Sequence, residues 1–242
     1  DAQETFTIET AERDEPGTSV ILHLREEHQE LLREWELRRL VRRYSDYVDH
    51  PIELFVTRRD EEADDDDEAP AETRTFEVVN QEGALWRRPA EEVTDEQRAE
   101  FYKHVTHDFE DPAATTHFKI EGASLFHGML FVPPRPPFDL FDQDATHGLR
   151  LYVKRVLIME KCEELLPRWL RFVRGVVDSD DLPLNVSREM LQDSTETRRI
   201  RKQVVKKVLD MLEDLARDDD ETYLTIYEHF GRVLKEGVHQ EP

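Results

Sequence analysis

A chain of 242 residues is long enough for one large domain or two small ones and can bury a sizeable core without staples. Its net charge of -23 excludes general docking on nucleic acid or on an anionic membrane surface, because a polyanion is repelled before it docks. One cysteine excludes an intrachain disulfide and any multi-cysteine zinc site, and no apolar run approaches the ~18 to 20 residues of a bilayer span.

Taken in chain order, "TFTIET" and "TSVILHL" alternate apolar and polar residues around the turn signal "DEPG", which predicts two strands within residues 1–24. Two strands alone are marginal, so they are expected to belong to a larger domain whose body is missing. The start "DAQETFTIET" also lacks the basic and apolar regions of a signal peptide, and the expectation is a cytoplasmic protein. From Arg25 to about Val48 the spacing of Leu37, Leu40, Val41, Tyr44 and Val48 predicts a helix stopped by Pro51. Residues 58–74 then carry the acidic run 60–68, "DEEADDDDE", which repels itself and has almost nothing to bury. A disordered linker or loop is expected there.

A second ordered block begins near "TFEVVNQEGALW". Thr94 and Gln97 in "TDEQ" form a capping-box pattern that opens a helix through Phe101 and Val105. "HFKIEGASLFHGMLFVP" predicts a strand pair, "LRLYVKRVLIME" one longer strand, "KCEELLPRWLRF" a short helix and "VRGVVDS" another strand. Strands and helices alternating in this way indicate a layered α/β domain. After residue 194 the chain is helical: Ile200, Val204, Val208, Met211 and Leu215 lay one apolar stripe, and "ETYLTIYEHFGRVLKEG" is a further helix ended by Gly237. The last residues, "VHQEP", are expected to be cut from a longer chain.

Chemistry is sparse. Arg188 stands on the loop "DLPLNVSREMLQDS", followed by a helix whose early turns hold Arg198, Arg199, Arg201, Lys202, Lys206 and Lys207, against the preference of the helix dipole. Surface pairing with nearby carboxylates and a face that meets an anion such as phosphate remain equally open. Arginine suits the second task, since its planar fork of donors matches phosphate oxygens. No Gly-rich phosphate loop, "GKS" or "GKT" occurs among the 8 glycines, so a nucleotide would be held elsewhere. His104 and His107 have a spacing that shares a metal on a helix but lack a third ligand, and Cys162 has no histidine partner motif; no metal or nucleophile is assigned. Phe138, Leu140 and Phe141 stand in a loop, either docked into their own domain or forming an exposed patch for partners.

The stretches "GTSVILHL", "ALW", "FYKHVTHDFEDP", "PPFDLF", "LRLYVKRVLIM", "RFVRGVVDSDDLPLNVSREMLQ" and "FGRVLKEGVH" resemble, in order, the heat-shock protein 90 family, most closely its bacterial form. The resemblance covers nearly all positions apart from the acidic run, which is longer than the family pattern leads one to expect. It implies an αβα sandwich middle domain followed by a helical segment. Residues 1–24 would be the end of an ATP-binding N-terminal domain, 25–178 the large part of the middle domain, and 179–242 its catalytic loop and helices. It further implies an ATP hydrolase, inactive as this segment alone, acting as a dimeric stress-response chaperone with ATP and Mg2+ as cofactors. Its partners would be unfolded client proteins, co-chaperones and its own N-terminal domain. Arg188 would reach the γ-phosphate of ATP with Gln192 assisting, and Trp86, Phe138, Leu140 and Phe141 would contact clients. The competing reading is a non-catalytic module that docks clients or co-chaperones.

Overall fold

The computed structural model describes residues 7–59, 72–81, 83–122, 124–142, 144–185 and 188–240; of Arg59, Glu72, Arg188 and Asp193 it describes the backbone alone. Residues 7–24 run without helix or strand. Ile8, Val20, Ile21 and Leu22 are all exposed, so the two expected strands are absent among the described residues. Their alternation supplies one apolar face, but no sheet lies beneath it to bury that face. The expected helix after Arg25 is broken in two, a 3-10 helix at Glu26–Leu32 and α1 at Glu34–Tyr44, with extended backbone at Arg33 between them.

Strands β1 (Glu53–Arg59) and β2 (Glu72–Val78) pair antiparallel as a hairpin. The ends of the predicted linker 58–74 are therefore strand, while its acidic centre, 60–71, lies outside the described residues. Buried Val56 faces inward, and Phe55 and Phe76 pair on the outer face with ring centroids 5.0 Å apart.

The main sheet has five strands in the order β3-β4-β7-β5-β6: β3 (Ala114–Ile120), β4 (Phe126–Val132), β5 (Leu149–Val153), β6 (Val156–Cys162) and β7 (Arg174–Ser179). Only β5 and β7 run parallel; the other pairs are antiparallel. Alternate residues feed two cores, as the period of two in a strand requires. Leu130, Val132, Leu151, Val153 and Val177 join one core with α4 (Thr195–Asp218) and α5 (Asp220–Gln240). Met129, Phe131, Tyr152 and Val176 join the other with Trp86 and α2 (Asp95–Thr106). The result is a three-layer αβα sandwich carrying a helical pair.

Local chemistry explains where the elements differ from their sequence patterns. The stretch read as one long strand folds back at Lys154 and Arg155, both with positive φ, 50° and 66°, in a two-residue hairpin that no glycine or asparagine announces. The predicted helix after Lys161 is two 3-10 turns, Glu163–Leu165 and Arg168–Leu170, separated by Pro167. Helix α5 runs through Gly237 rather than ending there. That glycine is needed for close packing, since a Cβ would sit 2.7 Å from the Trp169 ring. Helix α2 is opened by the expected capping box of Thr94 and Gln97.

A candidate catalytic loop held by a buried ion cluster

The loop bearing Arg188 leaves the sheet from β7, the central strand, hydrogen-bonded to β4 on one side and β5 on the other. Asp178 points into the Trp86 core and is fully buried. Its carboxylate accepts hydrogen bonds from Trp86 Nε1 at 2.9 Å, Arg87 Nε at 2.6 Å and the Arg155 amide at 3.2 Å. A buried carboxylate is tolerated only with such compensation. The rest of the Arg87 guanidinium forms a fork with Asp180, at 2.7 and 2.9 Å. Burial works against the charge on Arg87, yet the bonds to Asp178 and Asp180 hold its pKa above the ordinary value. The hydrogen bond from Arg87 likewise holds the Asp180 carboxyl below the usual range, although burial opposes it.

The next residues are fixed as firmly. The Asp180 amide donates to the Leu125 carbonyl at 3.0 Å, and Asp181 accepts from the Leu125 amide at 2.6 Å. Ser179 Oγ accepts from the amides of Asp181 and Leu182, each at 3.2 Å. Leu182 is buried, after which Pro183, Leu184 and Asn185 are exposed. Helix α3 (Arg188–Asp193) starts at Arg188; Glu189, Met190 and Gln192 are exposed, and Leu191 returns to the core. Ser194 then caps α4, its hydroxyl accepting from the Thr197 amide at 3.2 Å. The described residues between the two buried leucines, Pro183 to Asn185 with Glu189 and Met190, thus form an exposed crest, with Gln192 on the helix that Arg188 opens.

The cations that follow are largely engaged with surface neighbours. Arg199 pairs with Glu196 at 3.6 Å, Lys206 with Asp210 at 2.6 Å, and the Lys207 ammonium lies 6.0 Å from the centre of the Phe118 ring. Surface pairing therefore accounts for much of this face.

The four aromatic and aliphatic candidates separate. Trp86 is fully buried and Leu140 nearly so; both serve the cores and present no surface for a partner. Phe138 projects fully into solvent, while Phe141 is half exposed with the Arg232 guanidinium 4.9 Å from its ring centre. Their loop is pinned where Arg171 Nε donates to the Leu140 carbonyl at 2.7 Å and the same guanidinium forks onto Glu236. His107 ends α2 in the left-handed conformation, so the helical spacing that would aim it beside His104 is broken. Among the described residues no three side chains cluster closely enough to hold a metal ion. Burial pushes the Cys162 thiol up to about 12, which leaves it inert.

Sequence reasoning missed Arg87, Asp178 and Asp180. The signals were present, an arginine pair after "ALW" and the carboxylates of "DSDD", but 91 residues separate Arg87 from Asp178 and nothing local joins them. Among the described residues, no helix is long and apolar enough to cross a membrane.

Comparison with known proteins agrees with the resemblance read from the motifs. The family model described as "Hsp90 protein" matches residues 70–242. A relative from Myxococcus xanthus, "Chaperone protein HtpG", is 58% identical over 241 residues, covering 100% of this chain and 36% of its own length. Proteins of the same name from Halorhodospira halophila and Bordetella avium are 49% and 50% identical over 242 residues, each alignment covering 38% of the relative. The chain thus spans little more than a third of the curated relatives it matches, and over that span it belongs to the Hsp90 family.

Proposed function

We propose that this chain is the middle segment of an ATP-driven molecular chaperone, and that Arg188 meets the γ-phosphate of ATP held by another part of the protein, with Gln192 assisting. The observation that carries this reading is the crest itself. Buried Leu182 and Leu191 anchor both ends, while Gln192 stands exposed on the short helix that Arg188 begins. An arginine offered from outside a nucleotide pocket offsets charge developing on the transferring phosphoryl group, which is worth about 10³ to 10⁵ in rate in well-characterised GTPases. ATP with its Mg2+ supplies the phosphoryl chemistry. This chain contributes a guanidinium and an amide to one end of it, and no residue here is assigned to the metal. The names of the relatives support a chaperone role for the whole protein; that it acts in the cytoplasm as a dimer on unfolded clients, with co-chaperones and the N-terminal domain as further partners, belongs to the same proposal.

The test is Arg188→Ala in the full-length protein. ATP turnover is expected to fall by about 10³-fold while ATP binding stays near normal. Unchanged turnover defeats the catalytic role. The segment alone is expected to hydrolyse no ATP.

A second reading, a docking module without catalytic part, is favoured by Phe138, a large apolar side chain wholly in water. Under it, Phe138→Ser weakens capture of an unfolded client by the full-length protein, and Arg188→Ala changes the melting midpoint but not hydrolysis.

A further inference from the structure

We propose that Arg87 and Asp180 are positioning residues for the catalytic loop: their forked ion pair sets the direction in which the chain leaves β7 and thereby places Arg188. This rests on the reading that Arg188 meets the γ-phosphate. Asp178 and Asp180 are two residues apart and so lie on one side of the chain at the end of the strand. Left alone, two carboxylates so placed repel, and the exit from the sheet splays. The Arg87 guanidinium sits between them, with Nε on Asp178 at 2.6 Å and Nη1 and Nη2 on Asp180 at 2.7 and 2.9 Å. Arg87 is itself immobile, because it closes the 3-10 turn Leu85–Arg87 whose central residue, Trp86, is fully buried and bonded to the same Asp178. Asp180 is consequently held by its side chain to this turn and by its amide to the Leu125 carbonyl at 3.0 Å. The first loop residue has little freedom left, and the crest inherits its orientation. A lysine in place of Arg87 supplies the charge but not the planar fork that fixes two carboxylates at once.

The experiment uses the full-length protein, with Arg87→Gln, Arg87→Lys, Asp180→Asn, the double variant of Arg87→Gln with Asp180→Asn, and Arg188→Ala as reference. Turnover, ATP affinity and thermal melting are measured for each. A catalytic group displaced by about 1 Å commonly costs up to about 10²-fold. Arg87→Gln and Asp180→Asn are therefore each expected to lower kcat by about tenfold or more with ATP affinity unchanged. The double variant should be no slower than the slower single, and Arg87→Lys should recover only part of the rate. If kcat stays within about twofold for both singles while Arg188→Ala loses it, the positioning role is overturned and the reading of Arg188 stands. If Arg188→Ala keeps its turnover, that reading fails and this one falls with it. A further loss when Asp180→Asn is added to Arg188→Ala also overturns it, since Asp180 then acts by another route. Should Arg87→Gln not fold, Asp180→Asn decides, because Asp180 is partly exposed and its amide, with one acceptor oxygen in place of two, breaks the fork without leaving a buried charge unpaired.

Discussion

Two arginines in this molecule do the same thing by different physics. Arg38 on α1 reaches Glu34 on its own helix and Glu77 on the β1–β2 hairpin, where Arg58 joins it. Arg87 reaches Asp178 and Asp180 on the central strand. Each gathers carboxylates and each ties a peripheral piece to its neighbour. Every member of the first cluster reaches solvent, with Arg38 21% exposed, Glu77 29% and Arg58 55%; in the second, Asp178 is 0% exposed and Arg87 12%. Solvent, not geometry, decides what the pairs are worth. Exposed pairs are screened and replaceable by water, whereas removing one partner of a buried pair strands a charge that water cannot reach.

The contrast is broken most forcefully at Arg87. Arg87→Ala should destabilise the folded chain by about 3 to 5 kcal/mol in denaturant unfolding, because the buried Asp178 carboxyl then loses its cationic partner and is left with only two neutral donors. A loss no larger than that of a surface pair erases the distinction. Acid titration is the next sharpest probe. The folded pKa of Asp180 is depressed by the Arg87 hydrogen bond, so its stabilisation is present above the unfolded carboxylate range of about 4 and is lost as pH falls through the folded value. Melting midpoints of the unsubstituted chain should drop on acidification below about pH 4, and Arg87→Ala should flatten that dependence. A smaller effect comes from the turn that helps to hold Asp178. Lys154 sits at a φ of 50°, in the left-handed region that asparagine tolerates better, and Lys154→Asn should raise stability by about 0.5 kcal/mol. Smallest of all is Arg38→Ala, for which the melting midpoint should stay within error at low salt and coincide with the unsubstituted chain in 1 M salt.

Much of this architecture was legible from residue order. The capping box at Thr94, the strand pair ending at Val132 and the stripe from Ile200 to Leu215 all follow from periodicity and termini, which are local properties. What escaped was either unannounced or non-local. Lys154 and Arg155 turn the chain without the residues that usually permit it, because Asp178 and the Ser179 carbonyl accept their amides from another strand. Residues 7–24 have the alternation of strands but no sheet to complete them. Trp86 reads as a surface aromatic until Asp178 and the neighbouring rings enclose it. The Arg188 loop was found by its motif, while the cluster behind it became visible only once 91 residues of separation had been folded away.

The central place of β7 has a mechanical corollary. A strand bonded along both edges is among the last to exchange its amide protons for deuterium, so the foot of the arc cannot bend, and any excursion must begin beyond Leu182 and finish before Leu191. An arc clamped at both feet lifts its backbone by no more than about half its contour, roughly 15 Å for the nine steps between them. Anything farther away than that by more than a side chain's length is met only if the body carrying it does the travelling.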